Sequence, residues 1–358
     1  INACDAGREG ELIFRLIAQH AKAKQPIRRL WLQSMTPAAI RDAFTRLRED
    51  DDMMPLADAA RCRSEADWLV GINGTRAMTA LNSRDGGFYL TTVGRVQTPT
   101  LTIVVEREER IRSFVSRDYF EVKAQFGAVA GAYEGKWFNP AFRKDENDAE
   151  ARAERLWERG AAEAIVAACE GKTATVTDES RPATQLSPAL FDLTSLQREA
   201  NSRFGFSAKN TLGLAQALYE KHKVLTYPRT DARALPEDYL DTVKQTMDML
   251  ADSSPNYLPH AKKILSQGWV KPNKRIFDNS KISDHFAIIP TLQAPKNLSE
   301  PEQKLYDLVV RRFLAVFFPA AEFQVTTRIT EVAGHHFKTE DRKSTRLNSS
   351  HGYISYAV

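Results

Sequence analysis

Residues 5–11, DAGREGE, place Asp5 and Glu9 about one helical turn apart, where an opening strand gives way to a helix. Carboxylates at the carboxyl end of a parallel strand converge where open α/β sheets bind ligands. Mg²⁺ takes few carboxylates, alongside water and phosphate oxygens. The same acidic residues would also serve as an ordinary helix start favoured by the helix dipole. Residues 224–231, VLTYPRTD, end a short strand at Tyr227. Pro228 biases the residue before it towards extended backbone, which presents a phenol instead of packing it into a helix. A phenol ionises near about 10 and is a poor nucleophile at neutral pH. The guanidinium of Arg229, two residues on, favours the phenolate and can grip a phosphate through two hydrogen bonds. A packed aromatic beside a surface turn would have the same sequence.

His285 enters the apolar run HFAIIPT (285–291), where a histidine can be a satisfied structural residue or a polar donor at a site. Arg61, Arg63, Asp67, Asn73, Arg76, Arg95 and Gln97 are spread over two helical stretches. Such residues can position phosphates while meeting bases, or can simply form solvated helix faces.

These residues need elements to hold them. The first four residues read as the end of a buried strand. Apolar spacing predicts a helix over 8–23 through Leu12, Ile13, Leu16 and Ile17, and another over 36–49 with Thr36 as cap and Pro37 in its first turn. A long helix is expected over 55–82 with Leu56, Ala60, Trp68, Leu69 and Ile72 inward, and a further one over 95–113. Between 118 and 183 short alternating runs (119–126, 173–176) predict strands around a helix at 161–169. Helices return at 195–203, 207–222 and 302–318, followed by a strand at 322–330. One β region is thus expected to be entered twice.

A chain of 358 residues can form several domains, and 42% hydrophobic content allows each a core. The net charge of +4 suits a nucleic-acid binder with clustered positive charge without requiring one. Cys4, Cys62 and Cys169 lie far apart, against a zinc site or a disulfide framework, and a reducing cytoplasm is expected. No apolar run approaches the roughly 20 residues that span a bilayer, and no signal peptide is read at the start. Residues 341–358 resemble the translation of a sequencing adaptor and are expected not to be native to the fold. The chain itself reads as an interior fragment.

The order of the motifs is more specific than any one of them. DAGREGE is followed by DWLVGINGTRA (67–77), VGRVQTPTL (93–101), DLTSLQREA (192–200), GFSAKNTLGLAQALYE (205–220), TYPRTD (226–231) and HFAIIPT (285–291). This set resembles the type IA DNA topoisomerases, and within them the topoisomerase III branch carried on plasmids and conjugative elements. The resemblance runs from residue 1 to about 330. It implies a multidomain α+β toroid: the end of a TOPRIM metal-binding α/β domain at 1–35, a helical base at 36–115, a β arch at 116–183 and 321–340, and a winged-helix-like catalytic domain at 184–320.

By position, the resemblance makes Tyr227 the nucleophile that forms a 5′-phosphotyrosine without ATP. It makes Arg229 and His285 the groups that steady the phosphate, and Asp5 and Glu9 carboxylates for Mg²⁺, with Glu9 also counted among the catalytic residues. Arg61, Asn73, Arg76, Arg95, Gln97, Thr194, Ser195 and Gln197 then face single-stranded DNA, and a monomer in a bacterial cytoplasm is expected. Gly7 departs from the family's usual aspartate, leaving Mg²⁺ to Asp5, Glu9, water and DNA. The family's glutamate and lysine near the scissile phosphate belong upstream of Ile1, so this fragment alone is expected to be inactive. Two rivals remain: a non-catalytic single-strand-binding module on the same scaffold, and a TOPRIM nuclease or primase, which has no use for Tyr227.

Overall fold

The computed structural model describes residues 1–129, 131–144, 148 and 150–344. It divides into two compact units, one of Ile1–Arg107 with Ser187–Pro319, the other of Glu108–Leu186 with the chain from Ala320 onward.

In the first unit Asn2 pairs with Arg29 in a parallel bridge, and the chain turns through Asp5 into α1 (Arg8–His20). β1 (Arg28–Arg29) lies antiparallel to β2 (Arg48–Glu49). Arg29, Asn2 and Glu11 are all but fully buried. A buried guanidinium is stable only when paired and hydrogen-bonded. Arg29 meets that condition by donating to the carbonyls of Cys4 at 2.7 Å and Asp5 at 2.6 Å, with Glu11 at 3.3 Å from its Nε. Asn2 donates to the other side of the same network, to Glu11 at 2.9 Å. The turn that carries Asp5 is therefore pinned from beneath by a side chain 24 residues away.

α2 (Pro37–Thr45) starts where Thr36 accepts from the amide of Ala39 at 3.2 Å. α3 (Asp50–Asn82) opens with three aspartates at its positive end, and α4 (Gln97–Arg112) follows. The expectation that Trp68 and Leu69 point inward is corrected: they are 64% and 50% exposed. α3 buries Met53, Ala57 and Ala60 where it packs on α1, and further along only Thr79. Periodicity tells which residues share a face but not what covers it. Ile13, Leu16 and Ile17 of α1 are likewise exposed.

The later segment of this unit holds α6 (Leu193–Phe204), α7 (Ala208–Glu220), α8 (Leu240–Ser253), α9 (Leu258–Ser266) and α10 (Glu300–Phe317). α10 buries residues all round its axis, among them Leu305, Tyr306, Val309, Phe313 and Leu314, so it is the central pillar of a core shared with Leu196, Leu218, Met247 and Ile288. Ser299 and Glu302 close a capping box at its start.

The second unit is an antiparallel sheet in the order β3-β4-β7-β6-β5, with α5 (Arg159–Cys169). Its strands are β3 (Lys123–Ala128), β4 (Gly131–Phe138), β5 (Thr175–Gln185), β6 (Ala321–Val332) and β7 (His335–Ser344). β6 and β7 thus insert between strands that precede them by more than 130 residues. Val122, Trp137, Ala162, Ile165 and Phe337 form the core of this unit. Residues 341–344, set aside on sequence grounds, continue β7 and pair with residues 323–326 of β6. The remainder of that tail, 345–358, lies outside the described residues.

Candidate active site and nucleic-acid interface

Two motif segments of the first unit are laced together by threonine hydroxyls. The expected strand at 224–226 is a short antiparallel pairing with 289–291: Thr226 N donates to Ile289 O at 3.0 Å, and Thr291 N to Val224 O at 3.0 Å. The Thr226 hydroxyl donates to Ala287 O at 3.0 Å and accepts from Ile289 N at 2.9 Å. The Thr230 hydroxyl donates to His285 O at 2.9 Å and accepts from Ala232 N at 3.0 Å. Tyr227 sits between the two clamps, and Pro228 beside it is buried.

This register brings the half-buried Tyr227 ring to 4.2 Å from the ring of His285, tilted by 41°. Tyr219 of α7 meets the Tyr227 ring edge-on at 5.4 Å. His285 Nε2 in turn lies 3.6 Å from a carboxylate oxygen of Asp5. Residues 5, 227 and 285, far apart in the chain, therefore form one cluster. Arg229 and His285 line a cavity of about 420 Å³ together with Asp192, Thr194, Asp231, Ser283 and Asp284. Arg229 is exposed where it lines that cavity, so its guanidinium can meet an anion entering it.

The motif pattern assigns no role to Asp284, the residue before His285. A Cβ placed on Gly7 would lie 2.5 Å from Asp284 Cγ and closer still to both its oxygens. Burial, with the carboxylates of Asp5 and Asp231 nearby, pushes the Asp284 carboxyl up, while His285 and Arg8 pull it back. Tyr219, Asp192 and Asp231 also went unassigned. Their proximity is tertiary, and no local pattern announces it.

Arg61, Asn73 and Arg76 are exposed on α3, and Arg95 and Gln97 are exposed at the start of α4. Arg95 pairs with Asp67 at 3.0 Å and, with Arg8, Arg63 and Cys62, lines a second cavity of about 490 Å³. Asn73 donates to Leu69 O at 2.9 Å, within its own helix. Thr194 is exposed in the first turn of α6. Ser195 is different: it is buried, and its hydroxyl and amide are engaged with Asp192 in the cap of α6. Gln197 donates to Ala208 O at 3.0 Å, tying α6 to the start of α7.

Asp5 and Glu9 reach different neighbours, Asp5 towards His285 and Glu9 towards Arg63 at 3.7 Å. Their side chains are 69% and 65% exposed. Among the described residues no three His, Cys, Asp or Glu side chains are grouped to hold a metal. Two open carboxylates still fit Mg²⁺, which keeps several waters and takes one or two carboxylates with phosphate oxygens.

Among the described residues no helix is long and apolar enough to cross a membrane. A family model described as DNA topoisomerase matches residues 51–356. DNA topoisomerase 3 of Bacillus licheniformis is 40% identical over 343 residues, 95% of this chain and 44% of that protein. DNA topoisomerase 3 of Shouchella clausii is 42% identical over 329 residues, 91% of this chain and 42% of that one. The chain thus spans under half the length of these curated relatives. The solved full-length topoisomerase I of Thermotoga maritima matches 98% of the chain and 56% of its own with a TM-score of 0.62; at 21% identity this likeness concerns the fold. With a family model covering most of its residues, the chain belongs to the DNA topoisomerase family.

Proposed function

We propose that this chain is the strand-cutting core of a type IA topoisomerase that opens one DNA strand through a phosphotyrosine on Tyr227 and reseals it after a second strand has passed. The observation that carries this reading is the Tyr227–His285–Asp5 cluster beside a cavity that Arg229 lines. A phenol packed on an imidazole, with that imidazole and a guanidinium lining the adjacent cavity, suits an in-line attack on a phosphodiester.

The Tyr227 oxygen would attack phosphorus as its proton leaves. The bond to the 3′ oxygen breaks, that oxygen picks up a proton, and the 5′ phosphate stays on the tyrosine. One ester replaces another, so resealing needs no ATP. Arg229 would hold the equatorial phosphate oxygens, and His285 would donate a hydrogen bond beside them. Asp5 and Glu9 would hold Mg²⁺, whose charge, when bound, offsets that of the phosphates. The exposed Arg61, Arg76, Arg95 and Gln97, with Asn73 and Thr194, would track single-stranded DNA along α3, α4 and the start of α6. Ser195 and Gln197 would shape that surface by fixing α6. In this reading residues 1–35 are the end of a TOPRIM domain, 36–115 a helical base, 184–320 the tyrosine-bearing domain, and 116–183 with 321–340 the arch.

The test is covalent capture of a labelled single-stranded oligonucleotide by the full-length protein with Mg²⁺. An adduct whose nucleotide maps to Tyr227, and no adduct from Tyr227→Phe, is expected. Retention of DNA with no adduct selects a binding module instead.

A further inference from the structure

Gly7 precedes α1 with φ −163° and ψ 180°, an extended backbone open to any residue. Glycine is therefore not needed there for chain conformation. What it permits is close approach: the volume that a side chain at position 7 would fill is taken by the carboxylate of Asp284, which arrives from the segment that also carries His285. That carboxylate lies near Asp5 and Arg8. Polar contacts nearby join residues 33–36 to residues 238 and 282–283. Gln33 Nε2 donates to the carbonyls of Ile282 and Ser283 at 3.0 Å each, and Asp238 accepts from the hydroxyls of Ser34 at 2.8 Å and Thr36 at 2.6 Å.

Resting on the strand-cutting reading above, we propose that Asp284 is a positioning residue that supplies, from the tyrosine-bearing segment, the carboxylate that position 7 lacks. With glycine at position 7 this seat is open to the Asp284 carboxylate. Asp284 reaches the acidic turn from the segment that also carries His285, so the charge comes from across this contact. Gly7 is then a specificity-determining position: it decides which side of the contact contributes the charge.

The experiment uses Gly7→Asp, Asp284→Gly and the double variant of the full-length protein, with covalent oligonucleotide capture as the readout and the melting midpoint as a check of folding. Asp284→Gly should leave the midpoint within a degree or two (roughly the effect of a partly exposed substitution) and reduce capture about tenfold. The double variant should recover capture, because the carboxylate has been moved and not removed. Full capture by Asp284→Gly, or a double variant that captures no better than Asp284→Gly, overturns the proposal. Should a glycine variant fail to fold, Asp284→Asn, which keeps the shape without the charge, should capture as poorly as Asp284→Gly, and full capture by it overturns the proposal too. Failure of the underlying reading looks different: the unaltered protein captures nothing, or Tyr227→Phe still captures.

Discussion

Tyr227 and His285 stand ring against ring at 4.2 Å, yet neither is held there by a hydrogen bond of its own ring to the other. Their register is set by Thr226 and Thr230, whose hydroxyls bridge to the backbone at 285, 287 and 289. Two hydroxyls on either side of the tyrosine thus do what a longer strand pairing would otherwise do.

Replacing Thr230 by Val keeps the shape but leaves the carbonyl of His285 and the amide of Ala232 without a partner in a buried spot. The expected cost is about 1–3 kcal/mol, measured by urea denaturation, with weaker oligonucleotide capture as His285 drifts. Thr230→Ser restores both hydrogen bonds and should recover most of each effect.

Arg29→Met should destabilise by about 3 kcal/mol, the low end for breaking a buried ion pair, since Arg15 still holds Glu11 at 2.9 Å. The carbonyls of Cys4 and Asp5 lose their donor at the same time. Thermal denaturation reads the first effect. Faster amide exchange at residues 2–7 reads the second, and an unchanged exchange pattern would show that the turn does not depend on Arg29.

Asp278 caps the short turn Asn279–Lys281. It accepts from Ser280 Oγ at 2.6 Å and Ser280 N at 3.1 Å, with Lys281 Nζ at 2.9 Å. The Ser280 hydroxyl first, then Lys281, hold its carboxyl down to about 2. A depressed carboxylate stabilises the fold above its ordinary value of 3.8 and loses that contribution as pH falls towards 2. Melting midpoints of the unaltered protein and Asp278→Asn should therefore converge between about pH 4 and pH 2 and stay separated above that range. A constant gap across the range would contradict the assignment.

The sequence was readable where chemistry is local. Thr36 and Pro37 begin α2 as expected, and the alternating runs at 119–126 and 322–330 overlap β3 and β6. α8 and α9 lie between the motifs and carry none of them, although Val243, Met247 and Leu250 mark a buried face of α8 at helical spacing. β4 was missed because two glycines thin its alternation, and β7 because charged residues fill it. At the candidate site, the roles of Tyr227, Arg229 and His285 came from motif order, whereas the seat shared by Gly7 and Asp284 did not. It joins residues 277 positions apart and depends on an atom that glycine lacks.

The placement of β6 and β7 inside the sheet sets a timetable for synthesis. As the chain leaves the ribosome, β3 and β4 can pair at once, but β5 has no neighbour until β6 emerges, and Phe337 of β7 must arrive before the small core is filled. At about 5–20 residues per second, the intervening stretch of more than 130 residues takes on the order of ten seconds or longer. Throughout that interval β5 presents bare amides and carbonyls, and its run of charged and polar residues, Asp178, Glu179, Ser180 and Arg181, with Pro182, is the composition that keeps a waiting strand from joining the wrong partner.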